Sequence, residues 1–275
     1  MASEGLQGHR ARKRFGQNFL HDRHWIERIA KAVNATEGDD IVEIGPGQAA
    51  LTRELIAGAG KVRAVEIDRD LAAWLKETFP ESLSLIEADA LTLDWTQVAK
   101  NDNLRVVGNL PYNISSPLLF KLLEAADHVK DQHFMLQKEV VDRMVAQHGS
   151  KTYGRLSVML QWRYRMQNLF DVPPGAFNPP PKVMSSVVRM IPKAKEEVPS
   201  VDFELFSSVV ANAFSQRRKT IRNALSALLS AEEIAACDVD PGARAEALPL
   251  DAFVRLSQKA EALGRKAVTP GTTVD

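Results

Sequence analysis

Short apolar runs alternate with amphipathic stretches from Asp40 onward, and this alternation sets the first expectation of architecture. Ile41–Ile44, Val62–Ile67, Leu83–Glu87, Leu104–Val107 and His133–Leu136 are runs of four to six residues rich in branched side chains, the pattern of buried strands. Between them, Leu51–Ala57, Leu71–Thr78 and Pro117–Leu123 carry apolar residues at helical spacing, and Glu139–Ala146 begins another helix. Upstream, Asp22 can cap a helix whose Trp25, Ile26, Ile29 and Val33 share one face. Strands separated by helices in this way imply βαβ units and a parallel sheet.

The pattern changes after Tyr153–Trp162. Met166–Phe170 and Val183–Ile191 read as two strands that could pair antiparallel, joined by the proline-rich segment 172–182. Ile191–Pro199 is polar and flanked by proline, so a domain boundary is expected there. Beyond it Phe203–Phe214, Lys219–Leu229 and Leu250–Leu263 all read as helices, with fraying from Gly264. The expected division is an arm over residues 1–20, an α/β domain over 21–195, a small all-α domain over 196–265 and a disordered tail over 266–275.

Charge alters the picture once it is localised. The chain of 275 residues carries 35 basic and 35 acidic side chains, which speaks against a polyanionic partner. Residues 1–31, however, hold seven basic and three acidic groups, and 140–193 hold eight basic and two acidic, whereas 37–100 hold 13 acidic and six basic. Fields are screened within about 10 Å at ordinary ionic strength, so local surplus matters more than the sum. Arg12, Lys13 and Arg14 in the arm, and Arg217, Arg218, Lys219 and Arg222 further on, are therefore candidate contacts to the phosphates of a nucleic acid. A single cysteine, Cys237, excludes an intrachain disulfide and a multi-cysteine metal site, as in a reducing cytoplasm. His21, His24, His128, His133 and His148 lack metal-ligand spacing, so no metal is expected. The longest run without charge, Val106–Phe120, has 15 residues with two Asn and two Pro, too short and polar to span a bilayer. The basic N-terminus has no apolar stretch behind it and does not read as a secretory signal.

Two motifs carry chemistry. Val42-Glu43-Ile44-Gly45-Pro46-Gly47-Gln48-Ala49-Ala50 puts a glycine-rich turn between a strand and a helix, where Gly45 and Gly47 let a ligand approach the backbone. Glu66 ends the next strand, where a carboxylate can accept both hydroxyls of an adenosine ribose. Dehydrogenases and S-adenosylmethionine (SAM) methyltransferases share this pair. Asp89, after the third strand, can accept a hydrogen bond from an adenine amine.

The second motif, Asn109-Leu110-Pro111-Tyr112 at the end of the fourth strand, suits methylation of an exocyclic aromatic amine. The lone pair of such a nitrogen is delocalised into its ring. The Asn109 side-chain oxygen and the Leu110 carbonyl can take its two N–H bonds and favour tetrahedral geometry. Pro111 holds Leu110 extended, and Tyr112 offers a ring on which the base stacks, worth about 1–3 kcal/mol. No pKa-tuned base is required, because the methylated nitrogen is acidic.

Residues 16–20 (GQNFL), 42–55 (VEIGPGQAALTREL), 64–71 (AVEIDRDL), 87–91 (EADAL) and 106–119 (VVGNLPYNISSPLL) resemble the KsgA/RsmA-type ribosomal RNA adenine dimethyltransferases, relatives of the Erm methyltransferases. Segments 153–161 (YGRLSVMLQ), 172–190 (VPPGAFNPPPKVMSSVVRM) and 214–225 (FSQRRKTIRNAL) continue the resemblance, which spans nearly the whole chain outside both tails. It implies a Rossmann-like SAM-dependent methyltransferase sheet, mostly parallel with an antiparallel final hairpin, and a helical domain that binds RNA or the ribosome. It also implies that Asn18 and Leu20 close over SAM, with Gly45, Glu66, Asp89 and Asn109 lining the same site. The implied reaction is dimethylation of two adjacent adenosines in a hairpin near the 3′ end of 16S rRNA, in the small (30S) subunit or its precursor; apart from the resemblance, a monomer in the cytoplasm is expected. Phe177, in a stiff loop between prolines, could stack on the flipped adenine opposite Tyr112. Two further readings remain at this point. A nucleotide-dependent dehydrogenase accounts for the glycine turn but leaves NLPY unexplained, and a non-catalytic assembly factor needs only the basic regions.

Overall fold

The computed structural model describes residue 6 and residues 17–270. Arg12, Lys13, Arg14, Gly16 and the last five residues of the expected tail lie outside the described residues. Contacts divide the chain into two compact units, the first reaching to Val141 and including Arg165–Pro192, the second comprising Asp142–Tyr164 and the chain from Lys193.

The first unit begins with a two-residue strand, β1 (Phe19–Leu20), followed by helix α1 (Arg23–Val33). Asp22 caps α1 by accepting from the His24 N–H at 3.0 Å, and Ile26, Ile29 and Val33 form its buried face, as their spacing predicts. Strands β2 (Ile41–Ile44), β3 (Val62–Glu66), β4 (Leu83–Glu87), β5 (Leu104–Asn109) and β6 (Val129–Gln137) follow. Helices α2 (Ala50–Ala59), α3 (Arg69–Thr78), α4 (Trp95–Val98) and α5 (Ser115–Leu122) lie between them. Helix α6 (Lys138–Met144) and α7 (Arg155–Arg163) lead to β7 (Tyr164–Val172), β8 (Phe177–Asn178) and β9 (Ser185–Pro192).

The main sheet runs β4-β3-β2-β5-β6-β9-β7. The pairs β2/β3, β3/β4, β2/β5 and β5/β6 are parallel, and β9 enters antiparallel to β6. Strand order therefore reverses between β2 and β5, and at such a switch point the two loops leaving the strand ends diverge and open a crevice. Gly108 allows the close fit there: a Cβ on it would lie 2.6 Å from the Ile44 carbonyl oxygen. Strand β6 begins four residues before the expected His133, because its polar start is internally paired. Asp131 receives the Arg105 guanidinium at 2.9 and 3.0 Å, and Arg105 also holds the Val33 carbonyl at the end of α1. Asp39 joins this network; burial pushes its carboxyl up, but the Thr36 N–H and Arg105 outweigh that and hold it at about 2.

The second unit packs α7 with α8 (Phe203–Ala213) and α11 (Leu250–Ala262). Trp162 meets Phe203 and Phe206 at 5.6 and 5.5 Å, which is why residues 142–164 group here rather than with the sheet, unlike the single cut expected near Ile191–Pro199. The helix expected over Lys219–Leu229 is reduced to α9 (Ile221–Ala224). Ser226 turns back to the Asn223 carbonyl, and Ser230 caps a new helix, α10 (Ala231–Ala235), through a reciprocal pair with Glu233. Fraying does not set in at Gly264: Val268 exchanges hydrogen bonds with Ser208 and accepts the buried Asn212 amide.

Among the described residues no helix is long and apolar enough to cross a membrane, and no group of three or more His, Cys, Asp or Glu could hold a metal ion.

Candidate functional site

A cavity of about 360 Å³ opens at the switch point of the first unit, within the range of small-molecule sites. Asn18, Leu20, Gly45, Gly47, Glu66, Asp89, Asn109, Leu110, Pro111 and Tyr112 all line it, so residues drawn from five chain segments converge.

The glycine turn leaves β2 and meets Glu66 at the end of β3. Glu66 is 5% exposed and accepts the Gly47 N–H at 3.3 Å through Oε2 and the Asp68 N–H at 2.9 Å through Oε1. Burial raises its pKa, and these two N–H groups oppose the rise. Asp89 accepts the Leu91 N–H at 2.9 Å through Oδ1, closing its own turn while lining the cavity.

The segment Gln17–Leu20 forms a strap over one side of the cavity. Gln17 donates to Asp68 at 3.0 Å, and the Phe19 ring lies 3.1 Å from the position of a Cβ on Gly47, whose φ is +55°. The strap is anchored by the ladder of β1 with β8, in which Leu20 faces Phe177 and Phe19 faces Asn178. Asn109 Nδ2 donates to the Asn18 carbonyl at 3.1 Å. A carbonyl can only accept, so this bond fixes which way the amide points and leaves Oδ1 as its acceptor end. Leu110 is buried and its N–H donates to the Met135 carbonyl at 3.1 Å, tying the motif to β6. The Tyr112 and Ser185 hydroxyls are 2.7 Å apart and share a hydrogen bond. Burial raises the Tyr112 pKa and the Ser185 contact opposes it.

Phe177 does not stand free in its loop. It is 2% exposed, packs in the core with Leu20 and Val187, and is not among the residues lining the cavity. The β1–β8 pairing buries the ring. Arg218, Lys219 and Arg222 have exposed side chains in the second unit. Arg217 is exposed too, but donates to the Lys151 carbonyl at 2.9 Å and lies 3.9 Å from Glu246.

Two titratable residues, Glu43 and His133, line the cavity although the sequence assigned them no part in a site. Glu43, in the middle of β2, is 2% exposed, and its Oε2 lacks a hydrogen-bond partner among the described residues. Burial pushes its carboxyl up to about 7, with the Thr52 hydroxyl opposing the rise and Glu66 adding to it. The available signal was an acidic residue inside a four-residue strand that is buried at every position. His133 is 2% exposed, and burial lowers its pKa to about 4, so it is neutral.

This donor set fits an adenosine-bearing cation. Paired carboxylates at successive strand ends suit ribose and adenine, and a buried carboxyl with one oxygen unpaired suits positive charge.

A model of the ribosomal RNA adenine dimethylase family matches residues 8–261. The ribosomal RNA small subunit methyltransferase A of Acinetobacter baylyi is 54% identical over 256 residues, which cover 92% of this chain and 93% of that protein. Among solved structures, a dimethyladenosine transferase from Plasmodium falciparum matches with a TM-score of 0.79 at 25% identity, over 91% of this chain and 100% of that one. The 23S rRNA methyltransferase ErmE matches with a TM-score of 0.69 at 26% identity, over 89% and 100%.

Proposed function

Because this chain belongs to the ribosomal RNA adenine dimethylase family, we propose that it dimethylates the N6 amines of two adjacent adenosines in the 3′-terminal hairpin loop of 16S rRNA. The substrate is the small subunit or its precursor, met by a monomer in the cytoplasm during ribosome biogenesis. Small-subunit rRNA is favoured by the 54% identity, over nearly both lengths, to a protein named for it, against 26% to the 23S enzyme. Arg218, Lys219 and Arg222 serve as phosphate contacts, joined by Arg12, Lys13 and Arg14 of the arm.

SAM, when bound, supplies an electrophilic methyl group on a cationic sulfonium. Glu66 accepts the ribose hydroxyls and Asp89 the adenine amine. Gly45 and Gly47 let the backbone come close, and Asn18 and Leu20 close the site from the strap. Asn109 Oδ1 and the Leu110 carbonyl accept the two N–H bonds of the target amine and draw its lone pair out of the ring. Tyr112 supplies the face on which the flipped base stacks. Holding the amine in one orientation provides much of the remaining rate. The methylated nitrogen is acidic and gives its proton to solvent, so His133, neutral and buried, is not needed as a base.

The observation that carries this reading is the Asn109–Asn18 hydrogen bond, which turns Nδ2 toward the strap and leaves Oδ1 as the acceptor that can meet an amine. The test is twofold. SAM should raise the melting temperature where NAD does not, and labelled methyl groups should pass from SAM to undermethylated small subunits. Stabilisation by NAD alone would overturn the assignment.

A further inference from the structure

Strand β9 reaches the candidate site through one side chain. Ser185, its first residue, lies opposite Gln137 in the β6–β9 register and is 0% exposed. Its Oγ is 2.7 Å from the hydroxyl of Tyr112, which is 73 residues earlier and half-buried in the cavity wall. The start of β9 is held on several sides. The Met184 carbonyl accepts the Lys138 N–H at 2.9 Å, and Ser186, also 0% exposed, donates to Asp171 at 2.5 Å. Asp171 in turn meets Lys138 Nζ at 3.2 Å. Successive side chains of a strand point to opposite faces, so Ser186 locks the strand from one side while Ser185 presents its hydroxyl on the other.

We propose that Ser185 is a positioning residue for adenine methylation: anchored in β9, it fixes the orientation in which Tyr112 presents its ring to the target base. This rests on the reading of Tyr112 as the stacking platform. A tyrosine at a cavity wall can swing about χ1 and χ2 unless its far end is held, and stacking rewards only orientations that offer the ring face. The restraint on its hydroxyl end comes from β9, the strand that joins the parallel strands antiparallel. Base stacking and amine alignment are thereby coupled, since β6, which pairs with β9, also binds the Leu110 N–H.

The experiment measures methylation of undermethylated small subunits by wild type, Ser185→Ala, Ser185→Thr, Tyr112→Phe and the Ser185→Ala/Tyr112→Phe double variant. SAM affinity and melting temperature are measured in parallel. Ser185→Ala and Tyr112→Phe should each lower kcat about tenfold, as expected for one missing hydrogen bond, with KM for subunits and SAM affinity little changed. The double variant should be no slower than either single one, and Ser185→Thr, which keeps the hydroxyl, should recover most of the rate. A wild-type rate in Ser185→Ala, losses that multiply in the double variant, or a loss that tracks SAM affinity or melting temperature would overturn the role. Should Ser185→Ala fail to fold, Tyr112→Phe decides alone: a full rate overturns the role and a tenfold loss supports it. Absence of dimethyladenosine with wild type would instead sink the proposed reaction, and this inference with it.

Discussion

The Asn109 side-chain amide donates to the main-chain oxygen of Asn18 at 3.1 Å, joining the end of β5 to a strap 91 residues earlier. One bond thus orients the group proposed to meet the target amine and fastens the segment that closes the cofactor site. Asn109→Asp removes the donor and sets a carboxylate against a carbonyl. It should therefore weaken SAM binding by about tenfold in calorimetry, the cost of setting like partial charges together at a part-buried contact, and slow methylation through the loosened strap while keeping an acceptor at position 109.

The glycine turn makes a second prediction. Gly47 has a φ of +55°, and a Cβ there meets the Phe19 ring at 3.1 Å. Gly47→Ala adds about 1–2 kcal/mol of backbone strain and pushes on the strap, so SAM affinity should fall about tenfold with the fold intact by circular dichroism. Gly108→Ala acts otherwise. Its Cβ would lie 2.6 Å from the Ile44 oxygen, between two central strands, and the variant should yield little folded protein.

Glu43 gives stability a pH signature. Burial holds its carboxyl at about 7 in the folded chain, above its ordinary value of 4.5. Between those values the folded state binds the extra proton, so Glu43 contributes most stability below 4.5 and loses it as pH rises through 7. Glu43→Gln removes that loss. The melting temperature of Glu43→Gln minus that of wild type, both without SAM, should climb from pH 4.5 to 7 and level off above, at about 2–4 °C per kcal/mol. A flat difference would mean that Glu43 is ionised throughout. At pH 8 the same variant should bind SAM more weakly, having lost a negative charge beside a cation.

The strand ends bearing Gly45, Gly47, Glu66, Asp89 and Asn109 were legible in the sequence because each signal is a contiguous motif after an apolar run. What was not legible depends on which segments meet across long separations. Nothing near Tyr112 announces Ser185, and nothing near Phe177 announces that a strap residue, Leu20, will pair with it and bury it. Glu43 could be read only once both faces of β2 were known to be covered. In the helical unit the apolar spacing of residues 219–229 was real, but Ser226 and Ser230 broke it locally.

RNA binding should depend on salt although the net charge is zero. Replacing Arg218, Lys219 and Arg222 together by Gln should weaken subunit binding and flatten its log–log salt dependence by about 2, roughly 0.7–0.9 for each phosphate no longer neutralised. Arg217→Gln should lower melting temperature as well, since Arg217 also holds the Lys151 carbonyl.

Nucleoside analysis of the product tests the central claim most directly. Undermethylated small subunits are incubated with SAM and either wild type or Asn109→Ala, and the rRNA is digested. Wild type should give N6,N6-dimethyladenosine from two adjacent positions near the 3′ end of 16S rRNA, and Asn109→Ala should be about 10²–10³-fold slower at unchanged folding. Absence of dimethyladenosine with wild type, or its formation at full rate by Asn109→Ala, would contradict the account.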